Sequence, residues 1–328
     1  MGRGSAQILD DDEEIDLATF MLDACGIDYS DFYWDERILT RGNFEKNFKF
    51  LKKMVENRSF RRAPYFVLGY FILITGFRMP EDLRQKMLEV AKWEHEEGIW
   101  ANHFIPERKI CLKDFREKIK THRPNLKFRP VKLKYFSNLN LSEAIFGLND
   151  FRNALKSGEI DKIRHIKLDG WNLKTMPEEI YELKRLESLS LEFNQMTNIP
   201  IEISELQSLK YLNLDYNEIT TLPSSLLNLS SLTYLDLDHN LFKHIPESII
   251  RLPSIEVLGL NYNSISSIPE SIEDMKSLKT LALDYNYISE LPRTIFNLNS
   301  LRFLNIRKNK IKEIPEFLRN IKYSIILK

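Results

Sequence analysis

The chain has 328 residues, 43% hydrophobic and 29% charged, with 47 basic and 47 acidic side chains. That is more than one ordinary core holds, and the composition is that of a folded chain, not of a disordered tail. Its two cysteines, Cys25 and Cys111, exclude a disulfide framework and a four-ligand zinc site, and its longest apolar run, Tyr65 to Phe77, is too short to cross a bilayer as a helix.

The neutral total conceals three blocks. Residues 1–36 hold 1 basic and 11 acidic side chains, residues 37–162 hold 27 and 15, and residues 163–328 hold 19 and 21. The first block concentrates its charge in Asp10, Asp11, Asp12, Glu13, Glu14 and Asp16. Such a run is expected to be a solvated, partly mobile segment. No apolar stretch follows Arg3, so no secretory leader is expected, and a reducing, cytoplasmic setting is the simplest reading.

The second block, 37–162, reads as a helical domain. Phe44, Phe48, Leu51 and Val55 fall on one helical stripe. Pro64 opens a second, apolar helix that runs to Thr75 and closes at Gly76. Pro80-Glu81-Asp82 opens a third, with Leu83, Met87 and Val90 inward. Leu112, Phe115 and Ile119 mark a fourth. A last helix is expected over about Ser142 to Lys156, with Ser142 as its cap. This domain is expected to cover the N-terminal edge of the array that follows.

Chemistry is sparse in this block. Trp93-Glu94-His95-Glu96-Glu97, His103, Cys111 and His122 show no HExxH and no paired-cysteine spacing. No GxGxxG or GxxxxGK occurs among the 11 glycines. No metal, cofactor or nucleotide is therefore expected, and no catalytic residue is assigned. From Arg108 to Lys134, 11 basic residues face only Asp114 and Glu117. A solvated surface is the expected reading. The others are an intramolecular clasp on the acidic segment 10–16 or on the acidic partner-binding face, and binding to RNA or an anionic membrane, with Phe115, Phe128, Tyr135 and Phe136 as stacking platforms. Nucleic acid is not the favoured partner.

The third block repeats with a period of 23. Prolines fall at 177, 200, 223, 246, 269, 292 and 315, and asparagines at 194, 217, 240, 263, 286 and 309. Units begin at Ile163, Leu186, Leu209, Leu232, Ile255, Leu278 and Leu301. Positions 1, 4, 6, 11, 14, 18 and 21 are apolar in every unit. Positions 4 and 6 alternate with polar neighbours, which predicts a short strand with one buried face. The asparagine at position 9 carries a donor and an acceptor, so a column of them can satisfy turn backbone groups from unit to unit. Pro at position 15 suits an extended or turning return segment. Stacked units bury one continuous core.

Leu209 to Ser231 reads LKYLNLDYNEITTLPSSLLNLSS, which resembles the 23-residue intracellular class of leucine-rich repeats. The resemblance covers 163–323 and implies an α/β fold: a curved solenoid of seven units with a parallel sheet on its concave side, preceded by the helical domain. Similar repeats occur in Ras-binding scaffolds and plant Ras-group repeat proteins. Trp171 departs from the pattern where Asn is expected, and a transition to the preceding domain is the expectation there.

Strand positions 3, 5 and 7 point away from the core, and position 8 ends the strand. Position 7 supplies Asp169, Glu192, Asp215, Asp238 and Asp284. Position 8 supplies Phe193, Tyr216, His239, Tyr262 and Tyr285. Position 3 adds Tyr211, Tyr234 and Phe303, and position 5 adds Asp236. Glu192, Phe193, Tyr211, Asp215, Tyr216, Tyr234, Asp236, Asp238, His239, Tyr262, Asp284, Tyr285 and Phe303 are thus the candidate partner-binding residues. Carboxylates steer a basic partner and tyrosines provide rigid contact area. A structural ladder of repeated residues is the competing account of the same columns. The expected function is a non-enzymatic interaction module or scaffold in signalling, with a small GTPase or signalling enzyme as partner. The alternative is an enzyme with a site in the helical domain and repeats that select substrate. Oligomeric state stays open.

Overall fold

The structure, a computed structural model, describes residues 12–34, 36–57, 62–97, 105–130, 143–312 and 324–326. Two compact units are present. One gathers residues 1–139 with the tetrapeptide 169–172, and the other comprises 140–168 and 173–328.

The first unit is helical. Its helices are α1 (Asp12–Ala24), α2 (Tyr29–Trp34), α3 (Arg41–Asn57), α4 (Ala63–Thr75), α5 (Glu81–Val90) and α6 (Ile105–Thr121). The four expected stripes form as read. Phe44, Leu51 and Val55 of α3 are fully buried, and so are Leu83 and Met87 of α5 and Leu112, Phe115 and Ile119 of α6. α4 is apolar on every side because it packs against α1, α3, α5 and α6 at once. Gly76 ends it in the left-handed region at φ 65°, where a Cβ is disfavoured.

Two expectations fail here. The acidic start is ordered from Asp12: Leu17, Ala18, Met21 and Leu22 bury one face of α1, and Phe32 of α2 is buried with them. The apolar stripe of α1 is buried, while Asp16 is exposed. Asp10 and Asp11 lie outside the described residues. The basic stretch is also not a uniformly solvated surface. Arg108 is buried in a two-pronged ion pair with Glu96, at 2.8 and 3.0 Å. Lys118 pairs with Asp114 at 2.9 Å and donates to the Asp169 carbonyl. Arg129 pairs with Glu36 at 2.7 Å, and the Tyr70 hydroxyl donates to the same carboxylate. Phe115 and Phe128 are buried, so neither is a stacking platform; Tyr135 and Phe136 lie outside the described residues.

The second unit is a nine-stranded sheet, all parallel, in chain order. Its strands are β1 (Ala144–Phe146), β2 (His165–Lys167), β3 (Ser188–Ser190), β4 (Tyr211–Asn213), β5 (Tyr234–Asp236), β6 (Val257–Gly259), β7 (Thr280–Ala282), β8 (Phe303–Asn305) and β9 (Ser324–Ile326). From β2 to β8 each strand occupies positions 3 to 5 of one unit, paired in register with its equivalents. The helix expected over Ser142–Lys156 is corrected. Residues 144–146 form β1, which pairs with β2, and only Leu148–Ser157 are helical (α7), after Gly147. Ser142 lies outside the described residues. The sheet thus has one strand more at each end than the seven units supply.

The return side is built as the prolines require. Each described proline at position 15, from Pro177 to Pro292, has φ between −56° and −73° and leads into a 3-10 turn, or into the single-turn helix α8 (Glu247–Ile250). Positions 4 and 6 are buried in all seven units. The asparagine column behaves as its chemistry predicts. Asn240 Oδ1 accepts from the Ile219 backbone at 2.9 Å, and its Nδ2 donates to the carbonyls of Leu214 and Leu237. Asn194, Asn217, Asn263, Asn286 and Asn309 repeat the pattern. Along the outside, position 2 carries a charge ladder: Arg164 and Lys210 flank Glu187 at 2.9 and 2.7 Å, and Lys279 meets Glu256 at 2.7 Å. In the first unit Trp171, in place of Asn, meets Phe128 edge-on, and Lys118 lies over its ring.

Candidate partner-binding face

The candidate residues share one side of the sheet because period-2 alternation sends positions 3 and 5 opposite to the buried position 4. At position 8 the chain turns through the left-handed region. Phe193, Tyr216, His239, Tyr262 and Tyr285 have φ between 49° and 57°. That conformation costs roughly 1–2 kcal/mol for a residue with a Cβ. The rings offset it by stacking: consecutive centroids lie 3.9, 3.7, 4.2 and 4.2 Å apart, with planes within 22° of parallel. Tyr211 and Tyr234 stack likewise at 4.4 Å. Strands lie about 4.8 Å apart, so these closer rings converge and mark the inner side of the curve. Only Gly170 fits position 8 of the first unit. A Cβ there would sit 2.5 Å from the Arg129 backbone.

Between these two aromatic rows runs a strip roughly 16 Å wide, by strand rise over five residues. Its carboxylates are not an open column. Glu192 and Asp284 are buried, and Asp215 and Asp238 are partly so. They form lateral hydrogen-bond rungs. Asn261 donates to Asp238 through its backbone and its side-chain amide, both at 2.7 Å. The Asp284 backbone donates to Asn261 Oδ1, and Arg307 donates to Asp284 at 2.7 and 2.9 Å. His239 Nδ1 lies 3.0 Å from Asp215 Oδ1. The competing ladder account therefore holds for much of position 7.

Asp236 and Asp238 differ from their neighbours. Asp236 accepts from the Asp238 backbone and from the Tyr234 hydroxyl, each at 3.1 Å. Both carboxyls lean over Gly259, where an added Cβ would lie 2.7 and 2.8 Å from their Oδ1 atoms. Among the described residues neither has an ion-pair partner. Burial and the nearby Glu192 push the Asp236 carboxyl up to about 6. Burial and the Asp236 charge raise Asp238 well above the usual carboxylate range. This face accordingly holds two crowded carboxyls whose ionised forms are disfavoured, between aromatic rows. Asn261 interrupts the acidic column at position 7, and that break is the signal by which its supporting role could have been found, whereas position 5 varies from unit to unit and gives no such signal for Gly259. Tyr285, Tyr287 and Phe303 are the exposed aromatics at the far end, and Tyr287, at position 10, was not foreseen.

The possible enzymatic cluster in the helical unit is dispersed. Glu96 is buried against Arg108 and Arg62, Cys111 is buried, Glu94 and Glu97 are exposed, and His95 meets Glu89. His103 lies outside the described residues. Among those residues no group of three potential ligands is placed to hold a metal, and no helix is long and apolar enough to cross a membrane.

Residues 184–242, 207–265, 230–288 and 253–311 each match the leucine rich repeat family, in windows offset by one unit. The array is built of leucine-rich repeats. Solved structures similar to it include a leucine-rich repeat protein of Leptospira interrogans, at 28% identity over 52% of this chain and 56% of that one, with a TM-score of 0.40. Internalin C2 of Listeria monocytogenes is 24% identical over 51% of this chain and 72% of its own, with a TM-score of 0.45. The plant peptide hormone receptor RGFR1, solved in complex with RGF2, is 28% identical over 51% of this chain and 32% of its own, with a TM-score of 0.43. The leucine-rich repeats thus span little more than half the length of the first of these proteins. Comparison with curated proteins finds no match. Leucine-rich repeats are in general protein-interaction modules, and this array has their parallel sheet.

Proposed function

We propose that this protein is a cytoplasmic scaffold in signalling that docks a partner protein on the concave face of its repeats. The partner presents a basic patch, as a small GTPase or a signalling enzyme can. One observation carries this reading: Asp236 and Asp238 lie side by side over Gly259, without a cationic partner among the described residues, between rows of stacked aromatic rings. Tyrosine rows supply rigid contact area, and a lysine or arginine supplied by the partner neutralises the pair. Asp215 and Asp284 contribute less, because His239 and Arg307 already face them.

The test is affinity capture with the intact chain beside an Asp236→Asn/Asp238→Asn variant and an outer-face control, Lys184→Ala. A protein held by the intact chain and the control but lost by the double variant supports the reading. Equal capture by all three baits overturns it. The alternative, an enzyme with its site in the helical unit, lacks a converging cluster among the described residues.

A further inference from the structure

We propose that the outer face of α3 docks on an anionic lipid bilayer. The observation is independent of the repeats. Lys46, Lys49, Phe50 and Lys53 are all exposed, and Phe50 is 53% accessible. Their spacing of three, four and seven places them on one arc of roughly 100°. The opposite face, with Phe44, Leu51 and Val55, is the one buried in the core. Phe50 therefore lies off that core and leaves about half of its surface in water.

The lysines are equally unspent. The carboxylates of α3, Glu45 and Glu56, border the arc and face Arg41 at 3.8 Å and Lys52 at 3.6 Å. Lys52 turns away to Asp82 at 2.6 Å. Among the described residues Lys46, Lys49 and Lys53 have no ion-pair partner, and like charges one turn apart repel. The exposed phenyl is poorly matched to water, and three ammonium groups around it match an anionic membrane interface. Anionic headgroups neutralise the lysines while the ring enters the acyl boundary. Lysine is also the cation suited to diffuse charge, whereas arginine's rigid fork suits a directed phosphate or carboxylate. A single convex helix face offers no groove for a peptide. The bilayer meets all three features together.

The experiment is flotation of the full chain with vesicles of phosphatidylcholine alone or with added phosphatidylserine, at low and at physiological salt. The expected result is association with the anionic vesicles only, weakened by salt. A Lys46→Glu/Lys49→Glu/Lys53→Glu variant should bind at least on the order of 100-fold more weakly, since each lysine lost leaves about a fifth of the affinity. Phe50→Ser should lose about tenfold while keeping the salt dependence. All four positions are exposed, and thermal unfolding by circular dichroism checks that each variant keeps its fold. Equal association with both vesicle types, association with neither, or full retention by the triple-Glu variant overturns the proposal. Binding to polyuridylate in place of vesicles also overturns it and assigns the face to nucleic acid.

Discussion

At Asp236 the native chain holds a proton that the unfolded chain releases. Its carboxyl stands at about 6 instead of 3.8, because burial and the charge of Glu192 disfavour ionisation. The native state therefore binds more protons across that interval, and stability falls as pH rises through it. Asp236→Asn should raise the unfolding free energy at neutral pH by about 1–2 kcal/mol, once partial solvent access is allowed for. Below pH 4 the gain should vanish. Denaturant unfolding of both chains at several pH values checks this, and a gain that persists in acid would locate it elsewhere. A site that is more stable with its charge removed is a site arranged for something other than stability. Asn240 is the opposite case. It serves four backbone groups, and Asn240→Ala should cost about 2–4 kcal/mol, since buried donors and acceptors are left without partners. Thermal unfolding measures that loss.

Helix α4 shows what close packing demands of a single element. Gly69 lies against the Phe115 ring, and a Cβ there would sit 2.5 Å from its edge and 3.2 Å from Met87 Sδ. Gly69→Ala should improve intrinsic helix propensity yet destabilise the unit by about 1–3 kcal/mol, because buried Phe115 has nowhere to move. A rise in unfolding temperature would refute the close approach of α4 and α6. The elements also divide by how they could be read in advance. α3 to α6 and β2 to β8 follow from local periodicity. β1 does not: Ser142-Glu143-Ala144-Ile145 looks like a capped helix start, and only pairing with β2 across the chain makes it a strand. The buried cations escape for the same reason. Arg129 finds Glu36 at a separation of 93 residues and Arg108 finds Glu96 at 12, and a charge run in sequence does not disclose such partners. On the repeat face the columns named the residues, but not which carboxylates were spent on rungs. That depends on hydrogen bonds between neighbouring units.

For the repeat unit as a whole, stability is close to a sum of equivalent rungs. Register is set by features that recur every 23 residues: the asparagine column, the prolines and the outer charge ladder. Deleting one full period, residues 232–254, should leave a folded protein with a shorter sheet and lower stability. Deleting residues 232–242 alone should cost far more stability and broaden the unfolding transition, because it leaves a unit without its strand and takes Leu237 and Phe242, the partners of Asn263, from the ladder. Far-ultraviolet circular dichroism during thermal unfolding separates the two outcomes. If both deletions unfolded alike, the rungs would not be independent. The helical unit has no such divisibility. Its core converges on one apolar helix, and its three buried ion pairs each need both partners.

The stacked rings of this face have a further property that depends only on their spacing. Tyrosine chromophores held face to face at 4.2 and 4.4 Å share their electronic excitation. The stacked tyrosine pair Tyr262–Tyr285, with Tyr211–Tyr234 beside it, is therefore a built-in optical gauge, while the His239 imidazole, which does not absorb in the near ultraviolet, interrupts the coupling along the column. Flattening the sheet would separate the rings toward the strand spacing and weaken their coupling, while tighter curvature would strengthen it. Near-ultraviolet dichroism of the unlabelled protein should then register any change of bend, including one imposed by whatever settles between the rows.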